Sequence, residues 1–417
     1  MPLPRVAVVA QALKRVQNFD CWIFHDELLH TDQSLPAGEV VEVTDPKGHV
    51  IGQAFYHPQA HIALRMLSIT PEVCIDAAFL QARLEDAIAK RHALTGTTAK
   101  RLVFSEADGL PGLIVDQYGR YLVVQFRTAG MDRFREAVID LLRRRLHPQG
   151  ILERSDKEFR QEEGLPAVTQ TLHGTVPARI LIEEDDLRFL VDPHQGLKTG
   201  FYLDQRDARR RLRSTVASNQ MVLDTFSYTG AFGVTAASRG AHVICLEQHE
   251  PFIELAKENA RLNGVADRME FIAGDAFYWL EAARGRPRRF DCVVLDPPSL
   301  AKRKADVSKG RRALHHLLVQ ALGLLPSRGR LILSLCTYHL LDVAEEIIRI
   351  AAAQVHARLR VREQWLQASD HPWMIQIPPT RYLTSWVLDA WALTGLQASG
   401  QPGQTTTGRG RAARPAA

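Results

Sequence analysis

Four acidic residues in the second half of the chain stand at or just after the ends of short apolar runs. They are Asp224, Glu247, Asp275 and Asp296. The carboxyl ends of neighbouring parallel strands meet at one edge of an open α/β sheet, where ligands bind. Glu247 follows Asp224 by 23 residues, a spacing that lets a carboxylate accept hydrogen bonds from both hydroxyls of a ribose. Asp275 could meet an adenine amino group. The pattern predicts a pocket for a nucleotide-like cofactor.

The turn after Asp224 favours close approach of a ligand. Gly230 and Gly233 carry no Cβ, and the helix that follows offers free backbone N–H groups. The Rossmann pattern Gly-x-Gly-x-x-Gly is absent, and this turn taken alone also fits a nicotinamide site. The cofactor-binding candidates from this turn and the next two are Asp224, Phe226, Tyr228, Thr229, Gly230, Glu247, Asp275 and Ala276.

A second turn carries Asp296 followed by Pro297 and Pro298. The two prolines stiffen the backbone, so we expect the carboxylate of Asp296 and the nearby carbonyls to face the pocket at fixed positions, with Asp296 and Pro297 contacting the cofactor. The alternative interpretation of each acid is a helix cap or a turn residue. Four acids in register at successive strand ends favour the pocket.

The elements that must position these acids are five apolar runs separated by helical patterns. Such alternation is typical of an α/β fold with a parallel sheet, whose strands are buried on both faces. We therefore predict a Rossmann-like sheet covered by helices. The runs are 221–223, 243–246, 269–272, 292–295 and 331–335.

Two smaller regions precede this sheet. Residues 1–72 contain short β segments, including a hairpin formed by 40–44 and 50–56, and predict a small barrel of six or seven strands. Residues 73–190 combine helical patterns at 76–93 and 131–146 with extended segments, which predicts a compact α+β domain.

The composition is that of a globular protein, with 46% hydrophobic and 24% charged residues. We expect no membrane span, because no run of about 18 apolar residues occurs. Five scattered cysteines without a Cys-x-x-Cys pair argue against a disulfide framework and a metal site, and favour the cytoplasm. A net charge of +5 suits a polyanionic partner. Residues 395–417 are predicted to be a disordered basic tail.

The motifs resemble those of class I S-adenosylmethionine (SAM)-dependent methyltransferases. The strongest resemblance is to the bacterial 23S ribosomal RNA cytosine-C5 methyltransferases that carry an N-terminal PUA domain, and it extends to about residue 392. The methyltransferase motifs are 223–233, 274–277 and 294–298, and the stretches specific to the family are 106–112, 196–206 and 370–372.

This resemblance implies SAM as the cofactor and 23S ribosomal RNA as the partner. It also implies a PUA-like RNA-binding domain at 1–72, an α+β linking domain at 73–190 and a catalytic domain at 191–394. In such enzymes the segment Lys-Thr-Gly helps to wall the cofactor pocket, a role that we transfer to Lys198, Thr199 and Tyr202.

Carbon 5 of cytosine is not nucleophilic until a thiolate adds to carbon 6. Cys336 directly follows an apolar run, and the resemblance places the family's nucleophile there. Asp296 is then the catalytic partner that holds the ring and protonates or hydrogen-bonds its nitrogen 3. The alternative for Cys336 is a small buried hydrophobic residue, the role that we expect for Cys245 and Cys292.

The sequence departs from the family pattern on the substrate side. Ser299 stands where the family often has lysine, and Leu335 and Thr337 flank the cysteine in place of serines. Arg311 and His315 replace a typical tyrosine and asparagine. These departures leave open which nucleotide is methylated.

Basic residues crowd two segments, at 206–213 and 302–312. The second directly follows the proline turn, so we expect it to contact RNA phosphates around a single-stranded or flipped base. His371 is a further candidate, although a histidine before proline in a loop is often structural. The substrate-binding candidates are Lys302, Arg303, Arg311, Arg312 and His371.

Three alternatives remain open. The first is an RNA methyltransferase that acts on guanine or another base without a cysteine nucleophile. The second is a non-catalytic RNA-binding assembly factor, which the four acids disfavour. The third is a small-molecule methyltransferase or oxidoreductase, which the basic loop and the N-terminal barrel disfavour. The sequence also leaves open whether the chain is a monomer or a homodimer.

Overall fold

The computed structural model describes residues 2–29, 34–283 and 289–392. The tail predicted at 395–417 lies outside these residues. The described strands form a five-stranded sheet near the N-terminus, a second five-stranded sheet, a two-stranded hairpin and a seven-stranded sheet. Within the described ranges, no helix is both long enough and apolar enough to cross a membrane.

The N-terminal region is built on five described strands in the order β1-β3-β4-β5-β2. The predicted hairpin is present, but the expectation of six or seven strands is wrong. Part of the region is helical instead, because Ala12 and Val16 lie one turn apart and pack into the core beneath the sheet. The elements are β1 (Arg5–Ala7), α1 (Ala10–Gln17), β2 (Trp22–Phe24), β3 (Glu39–Thr44), β4 (Val50–Tyr56) and β5 (Ile62–Ser68).

The second region has a five-stranded sheet in the order β10-β9-β8-β7-β6. The helix predicted at 131–146 is divided at Phe134. Strand β10 was not predicted, because it is a mostly exposed edge strand with polar residues. The elements are α2 (Ala77–Lys90), β6 (Ala99–Phe104), β7 (Leu113–Tyr118), β8 (Tyr121–Phe126), α3 (Ala129–Arg133), α4 (Arg135–Leu146), β9 (Gly150–Ser155), α5 (Lys157–Arg160) and β10 (Val168–Gly174).

A separate hairpin, β11 (Ile180–Glu184) and β12 (Leu187–Val191), connects this region to the large sheet. Phe189 and Val191 are fully buried and belong to the same apolar core as Val222 of the large sheet. The same core also contains Tyr118 and Leu152, so the hairpin packs between the second region and the large sheet.

The large sheet has the order β15-β14-β13-β16-β17-β19-β18. The five predicted strands are all present and mutually parallel, and two antiparallel strands extend one edge. The elements are α6 (Arg206–Thr215), β13 (Met221–Thr225), α7 (Ala231–Ala237), β14 (His242–Glu247), α8 (Glu250–Leu262), β15 (Met269–Ala273), α9 (Ala276–Ala283), β16 (Cys292–Leu295), α10 (Val307–Gly323), β17 (Arg330–Leu335), α11 (Tyr338–Gln354), β18 (Ala357–Leu366) and β19 (Thr384–Ala392).

Apolar cores lie on both faces of this sheet. Val222 and Val294 belong to one core, whereas their neighbours Leu223 and Val293 belong to the other. Burial on both faces explains why these strands are continuous apolar runs. The chain order reverses at β13, which pairs with β14 on one side and β16 on the other, so a crevice opens at the carboxyl ends of these strands.

The domains are joined by hydrogen bonds to acids of the signature stretches. Glu106 accepts hydrogen bonds from the Trp22 indole at 3.0 Å and from Arg65 at 2.7 Å, which connects it to the N-terminal sheet. Asp370 accepts a hydrogen bond of 2.9 Å from the backbone N–H of Arg101 in the second region, and it accepts two more of 2.9 Å each from Arg206 beside the large sheet. All three side chains are buried. Glu106 and Asp370 therefore help to hold the domains together, whereas the stretch 196–206 also borders the crevice.

Candidate active site

A cavity of about 220 Å³ occupies the crevice at the carboxyl ends of the parallel strands. It brings together residues from the turn after β13, the turns after β14, β15 and β16, the end of β17, and the segment before α6. The predicted site residues that line it are Lys198, Tyr202, Phe226, Tyr228, Glu247, Asp275, Ala276, Asp296, Pro297 and Cys336.

Asp224 stabilises the turn that follows β13. Its carboxylate accepts a hydrogen bond of 2.9 Å from the backbone N–H of Gly233 and is almost fully buried. Burial raises the pKa of Asp224 to about 8, and the nearby charges of Asp296 and Glu247 add to this effect. Asp224 does not line the cavity, and its side chain contacts Gly233 in the first turn of α7 and Cys245 of β14.

Glu247 ends β14 and faces the cavity in a fixed orientation. One carboxylate oxygen accepts from the backbone N–H of Tyr228 at 3.0 Å, and the other accepts from that of His249 at 2.9 Å. Each carboxylate oxygen can accept more than one hydrogen bond. Glu247 therefore remains able to bind a pair of hydroxyl groups.

The wall beside the turn after β15 is aromatic. Phe226 and Phe277 meet edge to face with ring centroids 6.2 Å apart, and His316 stacks on Phe277 at 6.2 Å. Asp275 lines the cavity and also caps α9, because its Oδ1 accepts from the N–H of Phe277 at 2.7 Å. The capping and the binding interpretations of this acid are therefore compatible.

The proline turn presents Asp296 to the cavity. Its Oδ2 accepts a hydrogen bond of 3.0 Å from the side-chain amide of Gln205. Burial raises the pKa of Asp296 to about 7, and the charge of Asp204 adds to this effect. Near neutral pH, a substantial fraction of Asp296 therefore carries a proton and can donate a hydrogen bond.

Cys336 lies one residue beyond β17, across from the proline turn. Its Sγ is 3.9 Å from the carbonyl oxygen of Pro297, a distance compatible with a weak S–H hydrogen bond. Burial raises the pKa of the thiol to about 12, and the charge of Asp296 adds to this effect. Cys245 and Cys292, by contrast, are fully buried within strands. Cys336 is the cysteine that lines the cavity among the described residues.

The segment before α6 contributes residues that the sequence did not single out as ligands. Asp204 is buried and pairs with Lys198. It also accepts a hydrogen bond of 2.7 Å from the Tyr382 hydroxyl. Burial alone would raise the pKa of Asp204, but the charges of Lys198 and His371 lower it well below its ordinary value. The available signal was a carboxylate two residues after the aromatic pair Phe201 and Tyr202, within the signature 196–206.

Two acceptor atoms of this segment have no hydrogen-bond partner among the residues that the structure describes. They are Oδ1 of Asp204 and Oε1 of Gln205, both in buried side chains that line the cavity. A buried acceptor left unpaired costs about 1–3 kcal/mol, so both atoms favour a ligand that brings N–H or O–H donors.

Four further candidates lie in the surrounding structure rather than in the cavity lining. Thr199 and Thr229 are fully buried, and Gly230 is the N-terminal cap of α7. His371 is buried, pairs through Nδ1 with Asp370 at 2.9 Å and packs against Phe104. None of these four residues lines the cavity in the described part of the chain.

The basic loop after the proline turn lies on the surface. Lys302 pairs with Glu158 of α5 at 2.9 Å, and Arg311 pairs with Glu346 at 3.0 Å, in both cases with exposed side chains. Arg303 and Arg312 are exposed. The loop therefore presents positive charge next to the cavity and next to the linking domain.

Comparison with known proteins agrees with this architecture. Residues 6–69 match the family model of PUA-like domains, and residues 166–338 match that of S-adenosylmethionine-dependent methyltransferases. The chain is 35% identical over 377 residues to ribosomal RNA large subunit methyltransferase I of Shewanella amazonensis, covering 89% of this chain and 95% of the relative. It is 32% identical over 374 residues to the protein of the same name from Alteromonas mediterranea, covering 88% and 94%.

The chain belongs to the ribosomal RNA large subunit methyltransferase I family. It is therefore a SAM-dependent methyltransferase with an N-terminal PUA-like domain, and the predicted fold, enzyme class and cofactor are confirmed.

Solved structures show the same fold over 93% of the chain of this methyltransferase. SMU.776, a candidate methyltransferase crystallised with SAH, superposes with a TM-score of 0.80 at 22% identity. A candidate SAM-dependent methyltransferase from Streptococcus mutans gives a TM-score of 0.80 at 21% identity. Each match covers 93% of this chain and 100% of the solved one.

Proposed function

We propose that this methyltransferase forms 5-methylcytosine in 23S ribosomal RNA, with Cys336 as the nucleophile. The observation that carries the proposal is that Cys336 and Asp296 line the same cavity, with Sγ 3.9 Å from the carbonyl oxygen of Pro297. The names of the relatives support a large-subunit ribosomal RNA as the acceptor, and the PUA-like domain supports an RNA partner.

The residues of the cavity fit SAM, which supplies an electrophilic methyl group on a sulfonium. Glu247 would accept from the ribose hydroxyls, and the rings of Phe226 and Phe277 would flank the adenine. The unpaired acceptors of Asp204 and Gln205 suit the N–H groups of the methionine ammonium. Of the remaining candidates, Asp275 and Ala276 would border the adenine, Lys198 and Tyr202 would wall the methionine part, and Tyr228 and Pro297 would complete the lining.

In the proposed reaction, the thiolate of Cys336 forms a bond to carbon 6 of cytosine while Asp296 gives a proton to nitrogen 3. Carbon 5 then carries the electron density that forms a bond to the methyl group, while the methyl–sulfur bond breaks and S-adenosylhomocysteine is the leaving group. A base removes the carbon-5 proton, and the thiolate leaves as nitrogen 3 returns its proton. A pKa near 7 makes Asp296 available in its protonated form at neutral pH. Burial and the charge of Asp296 favour the protonated form of the Cys336 thiol. The positive charge of Lys198 acts in the opposite direction and favours deprotonation.

The basic loop is the proposed binding surface for the RNA backbone. Lys302, Arg303, Arg311 and Arg312 lie beside the cavity and would contact phosphates, while the target base is single-stranded or flipped out to reach Cys336. Such a substrate would be met in the cytoplasm. A role of His371 would be indirect, since it is buried against Asp370.

A second candidate function is methylation of another base, such as guanine, without a covalent intermediate. The observation that favours it is the pKa of the Cys336 thiol, raised to about 12 by burial and by Asp296. In this alternative Cys336 only packs against the proline turn.

The two candidates are separated by transfer of tritiated methyl groups from SAM to 23S ribosomal RNA, followed by mass spectrometry of the digested RNA. We expect 5-methylcytosine with the wild type and a loss of at least about 10³-fold with Cys336→Ala. Cys74→Ala is the matched control, because Cys74 is exposed and remote in the fold, and should retain full activity. Full activity of Cys336→Ala with a methylated purine as product would contradict the proposal and support the second candidate.

A further inference from the structure

Residues 196–200 form a tight turn, called here the KTG turn, which is fastened first to the catalytic domain. The hydroxyl of Tyr228 accepts from the backbone N–H of Leu197 at 2.8 Å and donates to the carbonyl oxygen of Gly200 at 2.9 Å. A Cβ on Gly196 would lie 2.5 Å from the same hydroxyl, so the contact tolerates only glycine there. The turn is therefore fixed to the loop that follows β13.

The same turn is fastened to the linking domain through Thr199. Its hydroxyl donates to Oδ2 of Asp116 at 2.6 Å and accepts from the hydroxyl of Tyr118 at 2.8 Å. Arg101 holds Asp116 with two hydrogen bonds of 2.7 Å each. Thr199, Asp116 and Tyr118 are at most 1% exposed. Hydrogen bonds to a charged group in such a dry setting are stronger than those at a surface.

The residue next to Thr199 is the one that reaches the cavity. Lys198 lies over the ring of Tyr202, with Nζ 4.3 Å from its centroid, and pairs with Asp204. Its backbone is in the left-handed region with a φ of 54°. A non-glycine residue in this conformation costs about 1 kcal/mol or more, so contacts outside the turn must hold it. The contacts of Thr199 do so from the linking domain.

We propose that Thr199 is a positioning residue through which Asp116 and Tyr118 hold Lys198 and Tyr202 in the arrangement that binds SAM. The linking domain is then part of the cofactor site, although none of its side chains lines the cavity within the described residues. The inference rests on the proposed role of Lys198 and Tyr202 as walls of that site. Because binding linkage is reciprocal, SAM in turn stabilises the docking of the linking domain.

The test is titration calorimetry of the full-length protein with SAM. Thr199→Val keeps the shape of the side chain but loses the hydroxyl, and we expect the Kd for SAM to rise about tenfold. Thr199→Ser keeps the hydroxyl and should bind within about twofold of the wild type. The matched control is Thr128→Val, since Thr128 is equally buried in the linking domain and its hydroxyl bonds only Pro111 and Met131 there. This control should lower the melting temperature without changing the Kd.

A second readout is hydrogen exchange with and without SAM. We expect SAM to slow amide exchange in β7, which carries Asp116 and Tyr118, in the wild type and not in Thr199→Val. Unchanged SAM affinity of Thr199→Val would overturn the inference. If Lys198→Met weakens SAM binding while Thr199→Val does not, Lys198 still lines the SAM site, and only the proposed coupling to the linking domain through Thr199 is wrong. These readouts do not use RNA, so they are independent of which base is methylated.

Discussion

Two basic segments of similar composition have opposite environments in this methyltransferase. The first, residues 206–213, carries five arginines, and the second, residues 302–312, carries six lysines and arginines. In the first, four of the five arginines pair with carboxylates at 2.9 Å or less. The pairs are Arg206 with Asp370, Arg209 with Glu184, Arg210 with Asp185, and Arg213 with Asp186. In the second, the pairs are two exposed ones, and Arg303 and Arg312 point into solvent.

The difference teaches that the partners of a charge, and not the number of charges, decide its role. The turn between β11 and β12 carries a run of acids at 183–186, and this run lies against α6. Arginines that pair with these acids hold the hairpin against the catalytic domain. Because the acids neutralise their charge, these arginines attract a phosphate only weakly. The second segment retains its positive charge beside the cavity, where it can attract RNA.

The largest expected effect concerns the most buried pair of the first segment. Arg206→Met removes the partner of Asp370 and leaves that carboxylate buried, so the free energy of unfolding should fall by about 3–5 kcal/mol. Arg303→Met, in the second segment, should change it by less than about 0.5 kcal/mol. Urea unfolding measures the free energy of unfolding of both variants. A loss for Arg206→Met as small as that for Arg303→Met would contradict the difference between the two segments.

The same rule applies to buried acids. Asp370 pairs with the cation of Arg206, whereas Asp224 contacts the N–H of Gly233 and the thiol of Cys245 and pairs with no cation in the described part of the chain. The pKa of Asp224 is about 8 in the folded state, against 3.8 as its ordinary value. The folded state therefore holds this proton more tightly than the unfolded state, and the stability contributed by the neutral carboxyl is lost as pH rises from about 4 to about 8.

Asp224→Asn removes this titration and keeps an acceptor for the N–H of Gly233. We expect the variant to match the wild type at about pH 4 and to be more stable by about 1–3 kcal/mol above about pH 8. Urea unfolding without cofactor at both pH values measures the difference. A variant that is less stable at the higher pH would show that the carboxylate is ionised and stabilising.

The smallest expected effects are on RNA affinity. Arg303→Ala and Arg312→Ala should each weaken RNA binding by about twofold to fivefold and reduce the slope of log affinity against log salt by about 0.7–0.9. SAM binding should not change. Arg210→Ala, whose side chain already pairs with Asp185, should leave the salt slope intact. Filter binding over a salt series compares the three variants, and an equal loss for Arg210→Ala would contradict the comparison.

Much of the fold follows from the sequence because buried parallel strands are continuous apolar runs. All five such strands were predicted within two residues of their observed ends. Strands that were missed include β1, β2, β10, β18 and β19, which lie at or next to sheet edges. Strands β10 and β18 carry many exposed polar or charged residues. A strand that buries one face or neither gives no such run. The helix at 10–17 was missed because only two of its residues are buried.

The cavity acids could be predicted because each follows a strand, and the topology brings strand ends together. The contacts around them could not, because they join residues far apart in sequence. Thr199 contacts Asp116 of the linking domain, 83 residues earlier, and Arg206 contacts Asp370, 164 residues later. The pattern Lys-Thr-Gly therefore indicated a site but not which of its residues faces the cavity. The structure places Lys198 there and Thr199 against the linking domain.

The most direct test of cytosine methylation through Cys336 is trapping of its covalent intermediate. A 23S ribosomal RNA transcript containing 5-fluorocytidine cannot lose a proton from carbon 5, so the methylated adduct persists. With SAM present, the proposal predicts a complex that survives denaturation and whose RNA-linked peptide contains Cys336, and no such complex with Cys336→Ala. A wild-type protein that methylates unmodified RNA but forms no adduct, or forms one at another cysteine, would contradict the account.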